Sequence, residues 1–368
     1  MRIIVDTNAL NAALSIVTKA LPVRSTISVL EGVYMKAEQR RLLLRCTDLN
    51  IQIEASIDAL IEKEGATVLP GRLFSEMAKR LPGESVSIDV NKKNTAEIIS
   101  GAYRTTLQCE DAGDYHAMNE VESDTSIKIE PNDFKSMVRG CIFAAAQDDT
   151  KPILTGALME LGSNSLRLIA LDGYRLAIVE RPITAVKDIR IIVPSKTMTE
   201  VSHLLANDDE EDVHISANRR YVVFTTAGYT IMSRLIEGEF LNYRNVIPAG
   251  SRTRVTIDTK DFISTIERAS LIITERLKNP LRISFTEGKV VVRCQTNLGR
   301  VVDEFSAACE GDEVEIGFNN RYLLDALRNA RTEQVRMEIS GPLSPVKVLP
   351  VEGNDFLYLV LPVRFKND

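Results

Sequence analysis

The stretch "LRLIALDGYRLAIVE", residues 166–180, reads as two strands around a turn. Apolar and polar residues alternate on both sides of Asp172-Gly173, a pair that favours a tight hairpin. The pattern occurs twice more. "LLLRCTDLNIQIEASI" (42–57) turns at Asp48, and "KVVVRCQTNLGRVVDEF" (289–305) turns at Asn297. The three turn residues are separated by 124 and 125 positions. That spacing exceeds a solenoid unit of about 20–50 residues, so a whole domain is repeated.

Other segments keep the same period. "DTNALNAALSIVTKAL" (6–21), "EPNDFKSMVRGCIFAA" (130–145) and "DTKDFISTIERASLII" (258–273) each open on an acid beside Thr or Pro. Such an opening suits the positive end of a helix. Leu10, Phe134 and Phe262 follow four positions later, and apolar residues then recur at three- and four-residue steps. A second trio, "LPGRLFSEMAKRL" (69–81), "VPSKTMTEVSHLL" (193–205) and "GFNNRYLLDALRNA" (317–330), aligns Glu76, Glu200 and Asp325. Each copy reads strand, helix, strands, helix, strands. Alternating strands mean antiparallel sheets with one exposed face. The expected class is α+β, with three tandem similar domains at 1–121, 122–248 and 249–368. The polar stretches 119–126 and 248–253 read as linkers, and the acidic tract 207–212 as a loop.

Length and composition agree. The chain has 368 residues, 44% hydrophobic and 26% charged, with no Trp and 5% aromatics. Base-stacking platforms are therefore not the main device. The N-terminal sequence lacks the apolar run of a signal peptide, and no stretch approaches the ~20 apolar residues of a membrane span. The five cysteines are scattered outside metal-ligand spacing, which fits reduced thiols in the cytoplasm.

Reactive constellations are missing from the pattern. The three histidines (His116, His203, His214) form no HExxH, and no phosphate loop, nucleophile elbow or dinucleotide fingerprint occurs. No catalytic residue, metal site or cofactor is expected. Charge is distributed unevenly instead. The helix-like segments 7–21, 72–81, 132–146, 196–205, 260–273 and 320–331 sum to +6, while the whole chain is −6. A positive helical layer on a negative protein suits one surface facing a polyanion without reading sequence.

The chain resembles the bacterial sliding clamp family, the beta subunit of DNA polymerase III. The resemblance rests on "KPILTGALMEL" (151–161), "ALDGYRLAI" (170–178), "IVPSKTMTEV" (192–201), "SRLIEGEFLNYRNVIP" (233–248), "IGFNNRYLLDALR" (316–328) and "YLVLPVR" (358–364), and it covers essentially the full length. It implies the DNA-clamp fold. Two chains would close as a homodimer ring, with antiparallel sheets outside and helices lining the hole around double-stranded DNA. The resemblance also implies a groove between the second and third domains. That groove would take short linear peptides from the replicative polymerase, the clamp loader and repair proteins.

Carried over by matching positions, the groove comprises Leu154, Leu171, Gly173, Tyr174, Arg175, Leu176, Leu241, Asn245, Val246, Tyr322, Leu343, Val360, Leu361, Pro362, Val363 and Arg364. Leu154, Leu176, Val246, Val360 and Leu361 would form its apolar pocket, with Tyr174, Arg175 and Arg364 on the rim. DNA contacts would come from Arg24, Arg72, Lys79, Arg80 and Lys196. The dimer contact would join the strand around Thr106 and Leu107 to Leu271 and Ile272. Tyr174 stands where many members have His, Leu241 where Pro is common, Asn245 where a basic residue is common, and "LPVR" where "MPMR" is common. Asp148 and Asp149 occupy a loop that is polar and DNA-contacting in the family.

Two other readings use the same residues: a metal-dependent nuclease built on scattered acids, and a three-domain adaptor without DNA. The first requires turnover that a single Asp change abolishes. The second requires a monomer indifferent to charge reversal at Arg24, Arg72 and Arg80.

Overall fold

The computed structural model describes residues 1–118, 125–148, 150–162, 164–183, 188–205, 211–226, 228–273 and 280–365. Most of the 119–126 linker, most of the 207–212 tract, and Asp149 lie outside the described residues. Six α-helices occur among the described residues: α1 (Thr7–Val17), α2 (Gly71–Ala78), α3 (Pro131–Ile142), α4 (Ser195–Leu204), α5 (Thr259–Ser270) and α6 (Asn320–Ala330). They fall within the six sequence segments and are mostly shorter. In the first segment α1 gives way to a 3-10 turn at Thr18–Ala20.

The opening acids are caps. Asp6 Oδ1 accepts from Ala9 N at 2.7 Å and Asp258 Oδ1 from Asp261 N at 3.0 Å. Each satisfies an N–H that the first helical turn leaves free, worth about 1 kcal/mol. Asn319 does the same for α6, and Pro131 begins α3, where a missing N–H costs nothing. The residues spaced four positions on, Leu10, Phe134 and Phe262, are fully buried.

The chain packs as two compact units. One comprises Met1–Phe134 and Lys196–Leu235, the other Lys135–Ser195 and Ile236–Asp368. The middle repeat is thus shared, because its strands belong to two different sheets.

In the first unit a twelve-stranded antiparallel sheet has Tyr103–Gln108 at one edge and Thr125–Ile129 at the other. Its centre joins two repeats. The second hairpin strand of the first repeat, Ile51–Lys63, pairs with Tyr229–Arg234 of the second, in register Tyr229↔Ala55 to Ser233↔Ile51. The second unit repeats that junction within a nine-stranded sheet. There the hairpin strand Arg175–Pro182 pairs with Phe356–Val360 of the third repeat, Arg175 facing Val360. A separate four-stranded sheet is ordered Gly299–Ser306, Lys289–Thr296, Leu281–Thr286 and Val314–Phe318.

The hairpin turns are built from side-chain acceptors. Asp48 Oδ1 accepts from Asn50 N (2.9 Å) and Ile51 N (2.8 Å). Asp172 Oδ1 accepts from Tyr174 N (2.9 Å) and Arg175 N (3.0 Å). The Asp-Gly hairpin turn is thus a short loop, residues 172–174, folded around its Asp, with Gly173 at φ 91°. In the third hairpin Thr296 Oγ1 takes the acceptor role toward Leu298 N.

Candidate functional site

One face of the second unit carries an apolar floor. Leu154, Leu158, Ile169, Leu171, Leu176, Ile192, Phe240, Tyr243 and Leu359 form one buried cluster, with Ile153, Ile178, Ile236 and Ile247 packed against it. Alternation explains the assembly. Ile169 and Leu171 on one strand and Leu176 and Ile178 on the next face the same side of the sheet. In the same unit large apolar side chains remain in water: Tyr174 (60% exposed) in the turn between two floor strands, Leu241 (54%) and Val246 (52%) next to Phe240 and Tyr243 along the chain, and Leu343 (64%). Large apolar side chains left in water mark a candidate contact surface.

The hairpin turn supplies one wall. The ring of Tyr174 stacks on Tyr322 of α6, with centroids 5.6 Å apart and planes 19° from parallel. Burial, with Asp172 nearby, raises the Tyr322 hydroxyl above its ordinary pKa. The Tyr174 carbonyl accepts from Leu361 N at 2.9 Å, tying the C-terminal segment to the turn. Tyr243 anchors the 3-10 turn Tyr243–Val246 by donating its hydroxyl to Glu160 Oε2 at 2.7 Å. That turn presents Asn245 and Val246 to solvent.

Two expectations change. Arg175 is not a rim group. Its side chain is 10% exposed, bridges Asp172 Oδ2 at 3.1 Å and Asp325, and lies over the Tyr322 ring at 4.8 Å. Its position opposite Val360 turns the guanidinium inward, toward α6. Val360 is itself fully buried and supports the pocket from beneath rather than lining it. Leu154, Leu171 and Leu176 belong to the floor, and Gly173 makes the turn. Leu361 and Pro362 are half-buried, whereas Val363 and Arg364 are exposed. The sequence reading missed Phe240, Tyr243 and Leu359 as floor residues and Asp325 as the Arg175 partner. In the sequence Asp325 marks only the period.

The cationic candidates lie in the first unit. Arg24 is exposed on the loop after α1. Arg72 Nη2 donates to the carbonyls of Pro22 (3.3 Å) and Val23 (3.2 Å), so it holds that loop to α2. Glu76 accepts from Lys79 Nζ at 2.6 Å and from Arg80 Nη1 at 2.9 Å, and these hydrogen bonds drive its carboxyl down to about 2. Lys196 is 61% exposed with Asp48 Oδ2 at 3.8 Å, while Lys19 pairs closely with Glu200 at 2.9 Å. The layer is thus less positive than its count of cations, because Glu76, Asp48 and Glu200 sit within it. Asp148 accepts from both the N–H and the hydroxyl of Thr150, which lowers its carboxyl pKa.

Thr106 and Leu107 lie on Tyr103–Gln108, an edge strand. Leu271, just past α5, is 82% exposed and Ile272 half-exposed. Among the described residues no group of three His, Cys, Asp or Glu could hold a metal ion, and no helix is long and apolar enough to cross a membrane.

Comparison with known proteins identifies the class. Models of the N-terminal, central and C-terminal domains of the DNA polymerase III beta subunit match residues 1–119, 128–242 and 244–364. The beta sliding clamp of Bacillus subtilis (strain 168) is 30% identical across 99% of this chain and 100% of its own length. That of Staphylococcus aureus (strain Mu50 / ATCC 700699) is 30% identical across 94% of each. Among solved structures, the Bacillus subtilis DNA polymerase sliding clamp covers 100% of both chains at 29% identity and TM-score 0.96. A Pseudomonas aeruginosa clamp solved with a ligand covers 99% of this chain and 100% of its own at 27% identity and TM-score 0.93.

The chain belongs to the bacterial beta sliding clamp family, the beta subunits of DNA polymerase III. Its fold is that of three tandem clamp domains of α+β class with antiparallel sheets.

Proposed function

We propose that two copies of this chain close into a ring around duplex DNA and tether the replicative polymerase and other partners through the groove at Tyr174 and Val363. The observation that carries this reading is the repeated junction. Ile51–Lys63 pairs with Tyr229–Arg234, and Arg175–Pro182 with Phe356–Val360. By the same rule the third hairpin strand, Gly299–Ser306, wants the counterpart strand Tyr103–Gln108. Both are edge strands, each with one pairing neighbour among the described residues. A second copy would supply each missing partner, and head-to-tail contacts that close leave no edge. Arg268 of α5 bonds Asp303 of the free strand at 2.6 Å, which puts the exposed Leu271 beside that edge.

The three domains at 1–121, 122–248 and 249–368 are the units of this repetition. Within the ring, Arg24, Arg72, Lys79, Arg80 and Lys196 would meet phosphates without reading bases. Partners held by topology gain effective concentration, so the chain itself performs no chemical step. Its place is the cytoplasm, with the replication machinery.

The test is retention. Loaded onto nicked circular duplex, the protein should remain bound at high salt and leave once the circle is cut. Sedimentation should give a dimer that Leu271→Asp converts to monomer. Equal salt-resistant binding to linear and circular DNA, or a monomeric native chain, would overturn the reading.

A further inference from the structure

Residues 361–365 are tied down beyond the groove. After Val360 the chain runs along Val314–Phe318, the edge strand of the four-stranded sheet, and Val363 N donates to Gly317 O at 2.8 Å. Gly317 and Arg282 are direct cross-strand partners, so their Cβ positions share one face. The missing side chain at 317 leaves a slot. A Cβ there would lie 2.3 Å from the Val363 carbonyl oxygen and 2.9 Å from the Phe365 ring. The Arg282 guanidinium closes the slot from the other side, 4.2 Å from the Phe365 ring centroid.

We infer that Arg282 and Gly317 are positioning residues for partner recognition: they form a socket for the Phe365 ring and so fix the tail that presents Val363 and Arg364. The inference rests on the reading of the groove as the partner site. Among the described residues the tail has two other backbone ties, Leu361 N to Tyr174 O and Val363 N to Gly317 O. Both lie before Arg364, so without the ring in its socket the tail could fray back to 363. A cation over an aromatic face and a backbone slot that only glycine leaves open are specific to this ring at this place. A rigid wall lowers the ordering that a bound peptide must impose, and its loss should appear as faster release.

The experiment uses the full chain and a fluorescent peptide with the Q-L-x-L-F pattern. Phe365→Ala and Gly317→Ala should each weaken binding about tenfold, chiefly by faster dissociation. Phe365→Trp should restore affinity to within about twofold. Carboxypeptidase should digest past residue 365 faster in both weakened variants, while dimer sedimentation and thermal unfolding stay as in the native chain. Native-like peptide release in Phe365→Ala, or failure of Phe365→Trp to rescue, would overturn the socket and leave the groove standing. Absence of binding by the native chain would overturn both.

Discussion

Leu49 stands at φ 69° at the turn position that Gly173 occupies at φ 91° in the next repeat. Two features recur in both hairpins: an Asp carboxylate caps two N–H groups, and the Asp N–H closes on the first residue of the following strand, at 3.2 Å in one and 3.3 Å in the other. The first hairpin adds a bond from Leu49 N to Thr47 Oγ1 at 3.0 Å. Only the first copy forces a branched side chain into the left-handed region. That conformation costs an L-residue about 1–2 kcal/mol, against ~0.5–1 kcal/mol for the extra freedom of an unfolded glycine. Leu49→Gly should therefore stabilise the first unit by roughly 0.5–1 kcal/mol in urea unfolding. Leu49→Ala keeps the Cβ and should gain nothing. A lower unfolding midpoint for Leu49→Gly would show that the half-exposed Leu49 side chain contributes packing that outweighs the strain.

Arg175 should behave as a structural ion, not as a peptide contact. Its removal leaves Asp172 and Asp325 without their shared partner and uncovers the Tyr322 ring. Arg175→Ala should lose about 2–3 kcal/mol of stability. Arg175→Lys should recover little, because an ammonium cannot fork to two carboxylates and stack at once. A double-mutant cycle with Asp325→Ala checks the pairing; a coupling near zero would assign the loss to packing alone.

Glu338 makes stability depend on acid. Burial pushes its carboxyl pKa up, but the hydrogen bond from Lys347 (2.6 Å) and the charges of Arg336 and Arg254 bring the net value below the ordinary one. A carboxyl whose folded pKa is depressed contributes stability that is fully present above its unfolded pKa, about 4.3. That contribution is lost as pH falls through the folded value. Urea midpoints should hold near pH 6 and decline below about pH 5, and Glu338→Gln should flatten the decline. An unchanged pH profile in that variant would shift the acid sensitivity to other carboxylates.

On DNA, Arg24→Ala and Lys196→Ala should each lower affinity uniformly across sequences and reduce the salt slope by about one counterion. Arg72→Ala should lose more than its charge predicts, since Arg72 also holds the carbonyls of Pro22 and Val23 in the loop that carries Arg24. Glu76→Gln removes the negative charge shared by Lys79 and Arg80, leaving Arg80 on the Glu76 carbonyl, and should raise affinity. Filter binding over a salt series measures all four, and sequence-dependent losses would contradict a phosphate-only surface.

The six helices and three hairpins could be read from the sequence because each rests on local chemistry. Asp6, Asp258 and Asn319 cap helices within three residues, and Asp48 and Asp172 close turns within three. The groove was legible only as residue types that match a family. Nothing local says that Arg175 turns inward to a carboxylate 150 positions away, or that Val360 is buried while Val363 is not. The cationic layer was countable, with Glu76 and Glu200 already in its sum, but the approach of Asp48 to Lys196 and the pairing of Lys19 with Glu200 needed distances.

By itself the sequence determined the period, the α+β class and the alternation that gives most strands one buried face, because these follow from neighbours along the chain; the edge strands Tyr103–Gln108 and Gly299–Ser306 bury no residue. Only the tertiary structure decided which strands meet across repeats. Pairing of Ile51–Lys63 with Tyr229–Arg234 depends on edges that exist only after each hairpin has folded. It likewise decided that a glycine on one strand and an arginine on the next make room for Phe365, since cross-strand neighbours are set by register and not by distance along the chain.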